Sequence, residues 1–463
     1  LAENLVNERA PEQLRDSIAQ FAELRGVQAL RLHDPGLATE DASGARLLAL
    51  RWDEWARLSD KSALRLAAQV RSGAVLYFGG GLENGRSYSL RPFSRGLFGT
   101  IKCSGSYRLA QSGLIPNVLR GEHFNAGVSM LGACGLDTEV EVIAWAGALP
   151  TIFASAHGGG WVIYDLAYEH NAESEHTPII SRLMDPARRA RELGSLIAAD
   201  LAAGRDFAHP GSYNLILDDR PINYDYLSIG RLRRWLDHMR QIAPDFHLDC
   251  AWIPSQARPL RRSVEILKEF KAGFVWHGFL DHVDYSQMAD PGEHLRRGRE
   301  MLRLISQRFG VTVRPIMIFP MERRNEAGLR CLRDGGFEAI VEHAEIHPQD
   351  EDYAPAYLRY STPLRRAGSI GFPAMRRYPA SEINRGRMTA LAALGLPVIA
   401  FAHPDNLGLE RSPWRPKENP THLDAVIRFA VEKGLRPTPL TDLFNEMRKL
   451  PEPSSFAVEN YFS

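Results

Sequence analysis

The sequence predicts an α/β protein built from an N-terminal α/β domain and a C-terminal parallel (β/α) barrel. Three observations carry that prediction. From Tyr213 onward short apolar runs alternate one for one with helix-like segments, and strands joined through single crossover helices must run parallel. Before about residue 180 apolar runs and helical stretches also alternate, less regularly, which favours a layered α/β domain over a bundle or a sandwich. A chain of 463 residues, 44% hydrophobic and 24% charged, has ordinary globular composition and room for more than one domain.

Taken in order, Leu47 to Leu50 reads as a strand, and Ser59 to Val70 as a helix opened by an N-cap Ser-Asp and stopped near Gly73. Ala74 to Phe78 is the next strand. The three glycines after it, 79 to 81, mark a sharp turn and lack the Gly-Lys-Ser/Thr continuation of a phosphate loop. Val140 to Trp145 and Trp161 to Tyr164 are later strands, with His157-Gly-Gly-Gly160 as a hairpin or strand-lead turn. Asp185-Pro186 opens a helix that runs to Ala203, because an N-cap Asp followed by Pro in the first turn satisfies the free amides. It is expected as a linker, giving domains 1–180, 181–210 and 211–450 and a tail, 451–463. In the third domain strands are expected at 213–217, 246–253, 273–276, 313–319, 337–341 and 398–402, with helices between them. The long run 346–388 reads as an irregular insertion, a candidate lid whose Tyr353, Tyr357, Tyr360 and Phe372 could stack on sugar faces.

Fifty-six basic residues balance fifty-six acidic ones, so no global positive field favours nucleic acid or anionic lipid. Cys103, Cys134, Cys250 and Cys331 form no C-x-x-C pair, which argues against a disulfide scaffold and a thiolate zinc site. The longest apolar run, 142–156, is broken by Gly147 and Pro150 and too short to span a bilayer. Leu1 to Arg15 lacks the basic start and apolar centre of a signal peptide. The compartment stays unassigned.

In a parallel barrel the site lies where the strands end. Inspecting those positions collects Asp218-Asp219, His277 with His282, Phe319-Pro320 and His403. One carboxylate and two imidazoles can hold a divalent cation such as zinc and leave a position for water, whose pKa then falls to about 7. A second carboxylate can take the water's proton, and a further histidine can protonate a leaving amine. Adjacent carboxylates at a strand end point to opposite sides, so Asp218 and Asp219 suit different roles. A rival pair, His343-Ala-Glu-Ile-His347, has the helical interval for a metal but follows a strand, and reads as loop histidines.

At these residues the sequence resembles the polysaccharide deacetylase superfamily. Leu217-Asp-Asp-Arg-Pro221 stands against its Asp-Asp-Gly-Pro strand end, His277-Gly-Phe-Leu-Asp-His282 against its paired histidines, and Phe401-Ala-His403 against its Leu-x-His. The resemblance covers about 211 to 447 and implies a distorted (β/α) barrel of deacetylase type. It further implies Asp218 as catalytic base, Asp219, His277 and His282 as ligands of a divalent metal, most simply zinc, and His403 as general acid. The activity implied is removal of an acyl group, chiefly acetyl, from an amino sugar or glycan by metal-bound water. Two departures stand out. The histidines are five apart instead of four, about 100° further round an ideal helix, so a loop or bulge must bring them together. The family's Arg-x-Pro arginine and Asp-x-x-x-Trp motif have no convincing counterpart, Arg314, Arg323 and Arg324 being only nearby candidates. The N-terminal half resembles, in layout, amidotransferase-like or flavodoxin-like accessory domains, with Gly132-Ala-Cys-Gly-Leu136 approaching a G-x-C-x-G elbow and departing from it at Leu136.

A second reading keeps the barrel without the chemistry, as a carbohydrate-binding or scaffolding protein. A glycosidase fits less well, since its two carboxyl groups must flank a bond at about 5–10 Å, whereas Asp218 and Asp219 are neighbours.

Overall fold

The computed structural model describes residues 17–31, 45–93, 97–125, 129–136, 139–167, 177–207, 210–218, 228–256, 261–345, 347, 355–404, 407 and 421–450. They form two compact units, the first holding the described residues before Pro210 together with Pro355–Ser361, the second 210–354 and 362–450. Asp219 and Tyr353 lie outside the described residues. No described helix is long and apolar enough to cross a membrane.

The first unit is built on a mixed sheet. Strands Ala29–Arg31, Leu47–Leu50, Val75–Gly79 and Gly160–Asp165 run parallel, and Leu149–His157, Glu141–Ala146, Ser106–Leu109 and His123–Asn125 continue the sheet antiparallel. The expected flavodoxin-like layout is therefore corrected to a half-parallel, half-antiparallel sheet. The physical reason lies in the connections. His157 pairs with Gly160 across Gly158 and Gly159, and a two-residue link can only reverse the chain, never cross it over. Gly158, at φ +65°, has the left-handed backbone such a turn needs. The elbow-like segment around Cys134 is no strand-to-helix turn. Met130–Cys134 is an antiparallel strand beside Leu97–Cys103 in a separate three-stranded sheet.

The helix at Pro186–Ala202 is capped as expected, the Asp185 carboxylate accepting from the Ala187 and Arg188 amides. Most of its residues are buried, and Ser195 donates to the Tyr77 hydroxyl, which donates in turn to the buried Asp165 at 3.0 Å.

The second unit is a closed barrel of seven parallel strands in the order Leu248–Trp252, Gly273–His277, Val313–Ile318, Ala339–His343, Phe372–Pro379, Val398–Ala402 and Ser212–Leu217, the last pairing back onto the first. Six occupy positions expected from the apolar runs. The seventh, Phe372–Pro379, lies inside the supposed lid and corrects it. Its residues Phe-Pro-Ala-Met-Arg-Arg-Tyr-Pro carry no apolar run, yet six of the eight are buried. Two of those six are arginines, whose charges are met by ion pairs and carbonyls instead of solvent. Of the aromatic residues expected to stack on sugars, Tyr357 donates to Glu23 within the first unit, and Phe372 is 4% exposed in the barrel wall.

At the end where the strands begin, Asp249 accepts from the Asn214 amide at 2.7 Å and from the Leu440 backbone N–H at 3.0 Å. Those bonds seat helix Leu440–Met447, whose Leu440, Leu443, Phe444 and Met447 join Ile216, Val275, Ile316 and Ile399 in the barrel core. That helix packs into the barrel at this end, and in parallel barrels chemistry is found at the other, where the strands end.

Candidate active site

Asp218 follows strand Ser212–Leu217 directly and extends its pairing, its backbone N–H donating to Ala402 at 2.9 Å. Its side chain is 2% exposed. A buried carboxylate remains ionised only with a compensating charge. Arg377 supplies it: Nη1 lies 2.5 Å from Asp218 Oδ2, and the guanidinium is itself 2% exposed. Burial opposes the arginine's charge, but the Asp218 and Glu322 carboxylates outweigh it and hold its pKa above the ordinary arginine value. The guanidinium also lies 4.0 Å from the centre of the Phe401 ring, a cation–π contact that fixes its plane.

Two histidines flank the same carboxylate. His277, the last residue of its strand and 2% exposed, brings Nδ1 to 3.5 Å from Asp218 Oδ1. That nitrogen also lies 3.2 Å from the Ile318 carbonyl. A carbonyl only accepts, so Nδ1 carries a proton; in the neutral ring Nε2 then has the lone pair, the tautomer a metal ligand needs. His403 follows strand Val398–Ala402, with Nε2 3.8 Å from Asp218 Oδ2. Asp218, His277 and His403 thus converge from three strands.

His282 joins them in spite of the five-residue interval. The chain leaves the strand at Gly278, φ +75°, and turns in a loop fastened by Tyr285, whose hydroxyl donates to the Asp281 carbonyl at 2.8 Å. The rings of His277 and His282 then lie 5.2 Å apart. The helical argument against the interval lapses because the segment is a loop. A Cβ at position 278 would meet the Asp281 carbonyl at 2.8 Å and Pro320 at 3.0 Å. Gly278→Ala is therefore expected to lower stability by about 1–3 kcal/mol, from left-handed backbone strain and crowding. It should also separate the two imidazoles. Denaturant midpoint and a crystal structure of the variant check this, an undisplaced His282 being the contrary result.

Two imidazoles are suitable donors for a divalent cation, with Asp219, the third expected ligand, outside the described residues. Among the described residues no group of three or more His, Cys, Asp or Glu side chains is arranged to hold a metal ion.

The arginine expected near residue 320 lies elsewhere. Arg323 pairs with Asp284 at 2.7 Å, Arg324 with the buried Glu342, and exposed Arg314 lines a cavity at the opposite end of the barrel. Arg377-Tyr378-Pro379 itself spells Arg-x-Pro, so the signal was present two strands along the sheet from the place searched. Glu322, also missed, takes the other edge of Arg377, with Oε1 2.5 Å from Nη2 and 3.1 Å from Nε. The rival pair stays out of the centre: His347 Nε2 donates to the Glu322 carbonyl at 2.6 Å, and His343 lies 3.4 Å from Glu382. Beside His403 is a cavity of about 200 Å³ walled by Ala380, Phe401, Leu407 and Leu423, with Glu382 and His422 also lining it.

No protein-family model matches the chain, and no curated protein matches its sequence. Among solved structures it is similar to a putative polysaccharide deacetylase from Mycobacterium smegmatis, at 14% identity and a TM-score of 0.33, over 52% of this chain and 92% of that one. It is similar also to a family 4 carbohydrate esterase from Streptomyces lividans in complex with acetate, at 15% identity and a TM-score of 0.30, over 50% and 93%. A third is a CE4 family pseudoenzyme from Bacillus anthracis, at 13% identity and a TM-score of 0.32, over 51% and 67%. The likeness is one of fold and extends to about half of the chain.

Proposed function

We propose that the open end of the barrel is the active site of a metal-dependent hydrolase that removes an acyl group, chiefly acetyl, from an amino sugar or glycan. The observation that carries this reading is the buried Asp218 carboxylate, gripped by Arg377 and flanked by His277 and His403. This carboxylate has a cation that keeps it ionised and two imidazoles beside it at the mouth of the barrel.

Asp218 is the general base, kept anionic by Arg377 at neutral pH so that it can accept the proton of the attacking water. His277 and His282, with Asp219, would hold the divalent cation, for which zinc is the simplest choice. When bound, that ion would supply Lewis acidity to the hydrolysis. His403, more exposed than Asp218, delivers a proton to the departing nitrogen or oxygen, so that water adds across the acyl bond and yields a carboxylic acid and a free amine or alcohol. The apolar walls of the cavity beside His403 suit the acyl group, and its polar lining the sugar.

Purified protein, loaded in turn with zinc, cobalt and nickel, would be assayed for acetate released from N- and O-acetylated amino-sugar oligomers, with elemental analysis in parallel. Stoichiometric metal with acetate release is the expected result. Undiminished release after chelation removes the metal from the reading. Glycan binding without release favours the non-catalytic scaffold.

A further inference from the structure

We infer that Glu322 is a positioning residue for the Asp218 carboxylate, acting through Arg377, an inference that rests on the hydrolase reading for the role of Asp218. A guanidinium is planar and presents its donors in a fixed fork, so fixing one edge fixes the direction of the remaining N–H groups. In Arg377 the Nε/Nη2 edge is taken by a single oxygen, Glu322 Oε1, at 3.1 and 2.5 Å, and Nη1 is left to Asp218 Oδ2 at 2.5 Å. The Phe401 ring at 4.0 Å confines the plane of the guanidinium, but a ring face leaves it free to rotate and slide in that plane. Glu322 removes this freedom.

The backbone around Glu322 is shaped to place that one oxygen. Met321 and Glu322 are consecutive non-glycine residues in left-handed conformation, at φ 55° and 56°. Such strain persists only where surrounding bonds enforce it. Three do so: Glu322 N–H to Phe319 at 3.1 Å, Arg323 N–H to Pro320 at 3.1 Å, and His347 Nε2 to the Glu322 carbonyl at 2.6 Å. The second carboxylate oxygen, Oε2, is buried and accepts no hydrogen bond among the described residues. A glutamate serving only to neutralise a buried arginine would be expected to engage it side-on through both oxygens from relaxed backbone. Here the carboxylate meets the guanidinium through one atom, which sets direction more than it adds pairing.

The test compares Glu322→Ala and Glu322→Gln with the parent protein. The amide oxygen of glutamine can still accept from the Nε/Nη2 edge, whereas alanine cannot. With alanine, kcat is expected to fall about 100-fold, the order of loss that a misplacement near 1 Å brings, while KM and metal content hold; glutamine should restore most of the rate. A crystal structure of the alanine variant should show Arg377 Nη1 out of hydrogen-bonding reach of Asp218, and Glu322→Asp, shorter by one methylene, serves if alanine does not fold. Parent-like kcat, an unmoved guanidinium, or equal loss in the alanine and glutamine variants would overturn the inference. A parent protein that releases no acyl group would sink the hydrolase reading instead, and the crystallographic comparison would still decide whether Glu322 aims Arg377.

Discussion

Replacing Arg377 by Met is expected to destabilise the barrel by about 3–5 kcal/mol and to abolish turnover. The magnitude follows from what the substitution leaves behind. Asp218 and Glu322, both nearly fully buried, share this one guanidinium, and removal of one partner from a buried ion pair leaves charge without compensation. Methionine fills much of the volume and keeps contact with the Phe401 ring, so lost packing is a minor part of the effect. The two carboxylates must then either take up protons or admit water, and either response would disable Asp218 as the proposed base, a role that needs it anionic and fixed. The measurement is the denaturant midpoint of purified parent and variant, together with acetate release. A control separates charge from shape: adding Asp218→Asn and Glu322→Gln to Arg377→Met should recover a substantial part of the stability, because neutral groups tolerate the site without a cation, and should recover no activity. A midpoint equal to that of the parent protein in the single variant contradicts the buried ion pairs.

Where the sequence was legible, apolar patterning and turn chemistry carried the information. Asp218, His277 and His403 were found by inspecting strand ends, and six barrel strands were found because each is an apolar run bounded by turn residues. The hairpin at His157-Gly-Gly-Gly160 was legible from its glycines. What escaped was held together by charge. Phe372–Pro379 reads as loop because Pro373, Arg376, Arg377 and Pro379 interrupt it, and burial of its arginines depends on Glu322, Asp218 and the Thr362 carbonyl, partners distant in sequence. Arg377 therefore stayed hidden with its strand. Glu322 escaped for a backbone reason: nothing in Pro-Met-Glu-Arg announces two left-handed residues that no glycine permits. The mixed sheet of the first unit was missed because alternation of short runs does not distinguish crossover connections from hairpins until the links are measured.

Substitution of His277 by Asn is expected to separate folding from chemistry at the centre. The imidazole makes two different uses of its nitrogens. Nδ1 donates to the Ile318 carbonyl at 3.2 Å and lies 3.5 Å from Asp218 Oδ1, while Nε2 is the nitrogen that would face the cation in the proposed hydrolase. An asparagine side chain places its amide nitrogen near the position of Nδ1 and has no atom at Nε2. The inward hydrogen bond is then retained, and stability should stay within about 1–2 kcal/mol of the parent protein, the cost of a small cavity where the far side of the ring was. Under the proposed function, turnover and metal retention would depend on the atom removed. Losing it should cost more than the roughly 10- to 100-fold attached to an outer hydrogen-bonding partner of a metal ligand, and bound metal should fall well below one ion per chain. Gln in the same position has the opposite geometry, an amide near Nε2 with no donor to Ile318, so it should fold less stably without regaining full activity. Circular dichroism, elemental analysis and acetate release on the three proteins provide the comparison. Parent-like turnover in His277→Asn would remove this histidine from the metal centre, and with it the main support for cation chemistry at this end of the barrel.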